Sequence, residues 1–237
     1  MTWLWRICFS VMIATPLGAA SLTGRVEVRN SKDPAVNKKK DYSGVVVWLE
    51  GAGAPVHPGD APHARMLQKD KMFTPHLLAI QAGDTVDFPN LDPIFHNAFS
   101  NYDGKVFDVG LYPPGSSRSV RFTRPGVVRV FCNIHANMSA VIVVLNSSRF
   151  ALTGKDGAFT MEDVPPGEYT LHVFHERATA PTLDAITRRI SVSGGAFNVP
   201  AIAISETGYL PVPHKDKFGR DYTAAPDEHG IYPATRK

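Results

Sequence analysis

Thiols are scarce in this sequence: its 237 residues contain two cysteines, Cys8 and Cys132. We expect Cys8 to be removed with an N-terminal export signal, which leaves Cys132 alone in the mature protein. A disulfide within the mature chain is therefore excluded. Thiols of exported proteins are normally oxidised in pairs, so a lone one is an accident, an intermolecular bridge, a nucleophile or a metal ligand.

An apolar run long enough to span a membrane is missing from the N-terminal segment, residues 1–20. Arg6 precedes a short apolar stretch at residues 7–15, and Gly18 and Ala20 stand at the −3 and −1 positions of a cleavage site. These features are typical of a secretory signal peptide rather than a transmembrane helix. They predict a periplasmic or secreted protein without an integral membrane segment after cleavage.

A strong excess of charge of either sign is also absent. The net charge is +3 and falls to +2 when Arg6 is removed with the signal, because residues 1–20 contain no acidic residue. An excess this small, scattered along the chain, does not favour binding to nucleic acid or to a membrane surface. The 43% hydrophobic and 20% charged residues are typical of a soluble globular protein.

No window of the sequence shows a sustained helical period of apolar residues. Proline and glycine, 19 of each, instead separate short segments rich in Val, Ile, Thr and Phe. Short strands at regular spacing with turn residues between them predict an all-β protein built from sandwiches. The predicted strands are Arg25–Val28, Val45–Leu49, Thr85–Phe88, Ser119–Phe122, Val127–Phe131, Val141–Leu145, Tyr169–Phe174 and Ile190–Val192.

One stretch of seven residues concentrates side chains that bind metals. It has the spacing C-x2-H-x2-M, formed by Cys132, His135 and Met138, and His96 upstream is a candidate second imidazole. Two His, one Cys and a weak axial Met are the ligand set of blue-copper electron-transfer sites. Zinc seldom takes a thioether ligand. The residues therefore predict one copper ion per chain that exchanges single electrons.

Enzymatic alternatives fit the sequence less well. A Cys–His hydrolase needs an orienting third group and a strand-to-helix setting, whereas the residues around Cys132 have the pattern of strands. A binuclear copper centre needs a second Cys in the loop. Multicopper oxidases and copper nitrite reductases need His-x-His pairs, and none of the 9 histidines is so placed. We therefore expect no enzymatic activity.

The middle of the chain, roughly residues 64–145, resembles the cupredoxin family. The motifs that carry the resemblance are Met72-Phe73-Thr74-Pro75, Gly83-Asp84-Thr85-Val86-Asp87-Phe88, Asn90-Leu91-Asp92, His96-Asn97, the Pro125-Gly126 turn and the Cys132 loop. The resemblance is to exported members of the methylamine-utilisation type. It implies a Greek-key β-sandwich with a type 1 copper held by His96, Cys132, His135 and Met138.

The resemblance implies two further details of this site. Asn97 is expected to tie the two ligand loops together by hydrogen bonds. The Cys–His–Met loop has the short form found in amicyanin. Many family members have Pro before the second His, whereas this chain has Ile134. Proline lacks a backbone donor, so we expect the N–H of Ile134 to reach the sulfur and to alter the reduction potential.

A second pattern follows the copper motifs. Residues 152–159 and 164–171 are similar to the carboxypeptidase-regulatory-like (transthyretin-like) β-sandwich, whose first strands here match residues 24–26 and 47–51, far upstream. We therefore expect a cupredoxin unit, residues 56–147, inserted into a sandwich formed by residues 21–55 and 148–205. Insertion at an exposed loop is physically tolerated. The alternative is tandem order, 21–146 then 147–205, and both layouts end in an extended tail, 206–237.

The predicted function is the transfer of single electrons between redox proteins, such as a c-type cytochrome and a dehydrogenase or oxidase. In a site of this kind, Cys132 and His96 are expected inside and the ring of His135 at the surface. The flanking residues Pro93, Ile94, Phe95 and Ala136 would form an apolar docking patch. Two alternatives stay open: a periplasmic copper carrier or sensor, and a binding module whose copper site is structural or vestigial.

Overall fold

A computed structural model describes residues 18–51, 63–101, 104–211 and 213–222. Nearly all of the predicted signal peptide, most of the predicted insertion loop and the end of the tail lie outside these ranges. Strands dominate the described residues, which confirms the all-β prediction. Two short helices lie in the same ranges, α1 (Pro34–Asn37) and α2 (Ala180–Ile186). No helix among these residues is both long enough and apolar enough to cross a membrane.

The eighteen strands of the described residues alternate in most places between buried and exposed side chains, as strands with one buried face do. Their bounds are β1 Ala20–Arg29, β2 Val45–Gly51, β3 Ala64–Arg65, β4 Leu67–Lys69, β5 Met72–Thr74, β6 Leu77–Gln81, β7 Thr85–Pro89, β8 Phe99–Ser100, β9 Phe107–Asp108, β10 Ser117–Arg121, β11 Gly126–Phe131, β12 Ser139–Leu145, β13 Phe150–Leu152, β14 Ala158–Val164, β15 Gly167–His175, β16 Arg188–Val192, β17 Gly195–Asn198 and β18 Ile202–Ser205.

The first and last thirds of the chain share two sheets. One contains β14, β1 and β17 in that order, with β18 also paired to β1, and the other has the order β13-β2-β15-β16. Gly24 lies opposite Phe159, and Val47 opposite Val173. These sheets enclose an apolar core that includes Leu22, Val47, Leu171 and Ile204.

The middle of the chain forms three further sheets: β6-β12-β11-β8-β9, β10-β7-β3 and the two-stranded β4-β5 hairpin. Their core includes Phe88, Val128 and Ile142, and it extends to Cys132 and Met138 at one end. The metal-binding loop is therefore anchored in the packed interior of this sandwich.

Strand β12 is buried on both faces. Ile142 belongs to the core of the middle sandwich, whereas Val141 and Val143 pack against Val46 and Phe174 of the β2–β15 sheet in a third apolar cluster. A strand with both faces covered has a continuous apolar sequence, which is why residues 140–145 read AVIVVL. The two sandwiches thus share an apolar interface.

The pairing of β1 with β14 and of β2 with β15 is the pairing that the insertion layout requires. Among the described strands, neither β1 nor β2 is hydrogen-bonded to the sheet that carries the metal-binding loop. The division of the chain into domains itself stays a prediction.

Candidate metal centre

The hairpin formed by β11 and β12 presents the loop that contains three of the predicted ligands. Phe131 and Ser139 are directly opposed at the end of the ladder. The N–H of Cys132 donates to the carbonyl of Met138 at 3.1 Å, and the N–H of Met138 donates to the carbonyl of His135 at 3.1 Å. The loop is therefore closed by its own backbone, and its ligands are held at the tip of a rigid hairpin.

The other predicted imidazole, His96, comes from the segment between β7 and β8. Its backbone pairs with that of Tyr112: the N–H of Tyr112 donates to the carbonyl of His96 at 2.9 Å. The His96 side chain is completely buried. Because the segment is fixed by this pairing, the ring is delivered to the interior from a direction different from that of the hairpin.

The ligand atoms of His96, Cys132 and His135 converge. Cys132 Sγ lies 3.7 Å from His96 Nδ1 and 3.5 Å from His135 Nδ1, and one atom from each residue lies within 4.8 Å of the others. Metal–ligand bonds of about 2.0–2.3 Å would place three atoms of a trigonal plane about 3.5–4.0 Å apart. The spacing of these atoms therefore fits a metal ion bound between them.

The remaining predicted ligand, Met138, is completely buried and belongs to the same apolar cluster as Cys132. Its thioether is thus on the inner side of the loop rather than in solvent. A donor set of one thiolate, one thioether and two imidazoles, shielded from water, is the set that suits copper in both oxidation states.

The thiol of Cys132 is tuned by two opposing effects. Burial, the larger one, raises the pKa of Cys132, whereas hydrogen bonds from the backbone N–H groups of Asn97, Ile134 and His135 lower it. Without a metal the thiol is therefore protonated at neutral pH, and a bound metal would displace the proton. The contact from Ile134 is the one that we predicted from the absence of Pro at this position.

His96 is held neutral and correctly oriented for a ligand. Burial lowers the pKa of His96, and this outweighs the opposing effect of Asp92. The Nε2–H of His96 donates to Asp92 Oδ2 at 2.8 Å. With its proton on Nε2, the ring directs the lone pair of Nδ1 towards the sulfur.

Asn97 joins the two ligand segments, as the sequence resemblance implied. Its Oδ1 accepts a hydrogen bond of 2.6 Å from the N–H of Asn133, and its Nδ2 donates to Asp108 Oδ1 at 3.3 Å. The residue after His96 is therefore locked to the residue after Cys132.

The C-terminal segment, residues 213–222, packs against the outside of the Cys132 loop. Tyr222 donates its hydroxyl to the carbonyl of Cys132 at 2.7 Å, and the backbone N–H of Lys217 donates to Asn133 Oδ1 at 2.9 Å. The ring of His214 stacks on Phe131 with centroids 4.1 Å apart. The side chain of His214 is therefore half-buried rather than solvated. The aromatic residues spaced along the tail were the one available signal for this packing.

His76 links the loop to the other sandwich. Its Nδ1 lies 3.1 Å from the carbonyl oxygen of Ser139, and its Nε2 lies 2.7 Å from Glu176 Oε2. Arg129 NH1 also donates to Glu176 Oε1 at 3.4 Å. A polar cluster thus bridges the β11–β12 hairpin and the end of β15.

The exposure of the three convergent residues follows the predicted order. Cys132 and His96 are buried, whereas His135 is half-buried. The residues beside them are apolar and reach solvent: Phe95 is 42% exposed and Ile134 is 40% exposed. Of the other predicted patch residues, Pro93 and Ala136 are exposed and Ile94 is half-buried.

Comparison with known proteins gives similarity to solved structures alone: no protein family and no curated protein matches the sequence. A purple cupredoxin from Nitrosopumilus maritimus is 24% identical, with a TM-score of 0.32, over 35% of this chain and 99% of the other. The Cu(I) form of an amicyanin mutant, in which a methionine is replaced by alanine, is 20% identical, with a TM-score of 0.34, over 42% of this chain and 98% of the other.

The reduced state of another amicyanin mutant, in which a proline is replaced by phenylalanine, is 16% identical, with a TM-score of 0.34, over 41% of this chain and 99% of the other. TM-scores below 0.5 do not establish a common fold. The interpretation of the metal centre therefore rests on the positions of His96, Cys132 and His135.

Proposed function

We propose that this protein is an exported copper protein that carries single electrons between redox partners. One type 1 copper ion would be held by His96, Cys132 and His135, with Met138 as a fourth, weaker ligand and Asn97 supporting the loops. The proposal depends on one observation: two imidazole nitrogens and a thiol sulfur converge at a spacing that fits a shared metal ion. When bound, the copper would supply the one-electron couple.

The surrounding residues perform the tasks that such a couple requires. The hairpin and the His96 segment are fixed by backbone hydrogen bonds, so the ligands would move little when the charge of the ion changes. Burial of Cys132, His96 and Met138 excludes water from the sulfur and the inner nitrogen. The partly exposed ring of His135 is the route by which an electron would enter or leave.

The copper carrier is the weaker alternative. A protein that hands its metal to a partner needs ligands that the partner can approach, whereas Cys132 and His96 have no solvent exposure. Release would require the Asn97–Asn133 and Tyr222–Cys132 hydrogen bonds to break. This arrangement favours a resident ion.

The partner we propose is a redox protein, such as a c-type cytochrome, a dehydrogenase or an oxidase, that docks on the exposed apolar residues next to His135. Phe95 and Ile134 are the largest of these side chains. We propose no chemistry on a substrate for the protein itself.

The proposal is tested by adding Cu(II) to the metal-free protein that begins at Ser21. An intense charge-transfer absorption with bound copper in a ratio of one per chain is the expected result. Cys132→Ser should abolish the colour, because the thiolate is its source. A colourless protein, or a serine variant that keeps the colour, would contradict the proposal. Reversible oxidation and reduction of the coloured protein separates an electron carrier from a copper store.

A further inference from the structure

We propose that Asp92 is the positioning residue of the metal centre: its carboxylate fixes the ring of His96 and strengthens it as a donor, which stabilises Cu(II) relative to Cu(I). This inference rests on the proposed function for its electrochemical part. Its structural part, the fixed orientation and tautomer of His96, holds in the metal-free protein as well.

The carboxylate of Asp92 accepts three hydrogen bonds. His96 Nε2–H donates to Oδ2 at 2.8 Å, the N–H of Lys71 donates to Oδ2 at 2.9 Å, and the N–H of Asp70 donates to Oδ1 at 2.6 Å. The Asp92 side chain is only 8% exposed. Every donor comes from the protein, so the geometry does not depend on solvent.

The β4–β5 hairpin turn is shaped to supply two of these donors. Asp70 and Lys71 have φ angles of 55° and 54°, the left-handed region that residues other than glycine seldom adopt. Consecutive residues in this conformation turn both backbone N–H groups to the same side, where Asp92 accepts them. The hydrogen bonds offset the unfavourable backbone conformation, which indicates that the turn and the carboxylate belong to one arrangement.

Asp92 is also fixed from its own backbone. Its N–H donates to Asn90 Oδ1 at 3.1 Å, and Asn90 Nδ2 in turn donates to the carbonyl of Ile94 at 2.8 Å. The N–H of Leu91 donates to the carbonyl of Gln68 at 2.8 Å. The carboxylate therefore cannot swing away from His96 without disrupting the hairpin and the ligand segment together.

The Asp92 carboxylate accepts hydrogen bonds from three N–H donors at 2.6–2.9 Å, surroundings that suit an ionised carboxylate. An imidazole whose N–H is bonded to a carboxylate is a more basic ligand than one bonded to a neutral acceptor. The greater basicity benefits the more highly charged Cu(II), so the carboxylate lowers the reduction potential.

This effect opposes that of the hydrogen bonds at the sulfur. The N–H groups of Asn97, Ile134 and His135 withdraw charge from the thiolate, which favours Cu(I). The reduction potential of the centre would then depend on two opposing effects: the N–H groups at the Cys132 sulfur raise it, and the carboxylate of Asp92 lowers it.

The test compares Asp92→Asn with Asp87→Asn. The first substitution keeps the shape and removes the charge behind His96. The second is a matched control, because Asp87 also contacts a histidine ring, His63, at 2.9 Å in the same sandwich, and His63 is not a proposed ligand. Loss of such a carboxylate partner typically weakens metal binding about 10–100-fold.

We expect Asp92→Asn to weaken Cu(II) binding in this range and Cu(I) binding much less. A tenfold difference between the two corresponds to a rise of about 59 mV in the potential. The control should leave both affinities and the potential near those of the unsubstituted protein. An unchanged potential in Asp92→Asn, or an equal change in the control, would overturn the electrochemical part.

Nitrogen chemical shifts of the His96 ring in metal-free protein decide the structural part. The unsubstituted protein should have its proton on Nε2 alone, and Asp92→Asn should populate the Nδ1–H form as well. Identical ring shifts in the two proteins would overturn the positioning role, whether or not copper binds. Failure of the unsubstituted protein to bind copper would refute the proposed function instead. If Asp92→Asn does not fold, Asp92→Glu, which keeps the charge, is measured in the same way.

Discussion

The hydroxyl of Tyr222 donates a hydrogen bond of 2.7 Å to the carbonyl oxygen of Cys132, and 90 positions separate the two residues in the sequence. The chain thus returns, at its C-terminal end, to the backbone of the residue that we propose as the thiolate ligand.

Tyr222→Phe should loosen the Cys132 loop without removing a ligand. The loss of one hydrogen bond of this kind lowers the free energy of unfolding by about 0.5–1.5 kcal/mol. Copper and its colour should be retained, while copper leaves faster when a chelator is added. Urea unfolding and chelator kinetics measure the two effects. Tyr209→Phe, in the turn that precedes the segment, is the control, and an equal effect there would contradict the assignment.

Met138→Leu should keep copper bound and raise the reduction potential. The thioether is a weak donor that stabilises Cu(II), and leucine fills a similar buried volume without donating. Redox titration of the coloured protein measures the shift. A lower potential, or loss of the metal, would mean that Met138 does not act as a weak axial ligand.

Ala136→Glu should slow electron exchange with the physiological partner and leave the copper spectrum nearly unchanged. Ala136 is exposed beside His135, so the new carboxylate would be desolvated in an apolar contact. Stopped-flow mixing with the partner measures the rate. Ala203→Glu places the same charge at an exposed position of β18 and should have no effect. The small net charge also predicts a shallow dependence of the association rate on salt.

The contact between His76 and Glu176 predicts a pH-dependent stability. The hydrogen bond to Glu176 raises the pKa of His76, although burial opposes it, and Arg177 acts in the same direction as burial. A raised pKa means that the charged pair stabilises the fold fully below the unfolded value of about 6.5 and loses this contribution as the pH rises through the folded value.

The free energy of unfolding of the unsubstituted protein, relative to that of His76→Gln, should therefore decrease as the pH rises above about 6.5. Urea unfolding at a series of pH values measures the difference. An increase over this range would show that the ring is neutral in the folded protein. His76 is 53% exposed, so added salt should reduce the effect.

Excision of residues 58–146, with the ends joined, tests the proposed insertion. The β1–β14 and β2–β15 pairings lie outside this segment, so the remaining residues should still form a folded β-sandwich by circular dichroism and cooperative unfolding. Val46 and Phe174 would lose their apolar cover, and lower stability is expected. An unfolded product would favour the tandem layout.

The sequence predicted eight of the described strands, and the insertion layout requires the pairings of β1 with β14 and of β2 with β15 that the structure has. The segments around Val47, Val128 and Ile142 were identified because apolar residues with high strand propensity lie between turn residues. Ten of the eighteen described strands were missed, namely β3–β6, β8, β9, β13, β14, β17 and β18. Most of them are short, and β17 and β18 have only four residues each. Their pairing with β1 is set by long-range packing that no local pattern records.

The proximity of Cys132 and His135 was predicted because the spacing of a short hairpin loop constrains its geometry, whereas the place of His96 was implied by the resemblance to cupredoxins. The role of Asp92 was not predicted, because a carboxylate four residues before a histidine has no fixed orientation in a sequence. Only the β4–β5 turn, with its two left-handed residues, brings the donors that hold it in place. The contacts of Tyr222 and Lys217 were missed for a similar reason: the tail has no periodic pattern that indicates what it packs against.

The pairing of β1 has a consequence for the order in which the protein folds. The hydrogen-bonded neighbours of β1 among the described strands are β14, β17 and β18, so this strand is synthesised early and stays unpaired until Ala158 and later residues follow. The sheets between residues 64 and 145 contain all of their own strands and can form in the meantime. An unpaired strand with buried positions at Leu22 and Val26 is prone to aggregation while it waits. Folding should therefore depend on chaperones that bind extended apolar segments, and slow delivery of the later strands should lower the yield.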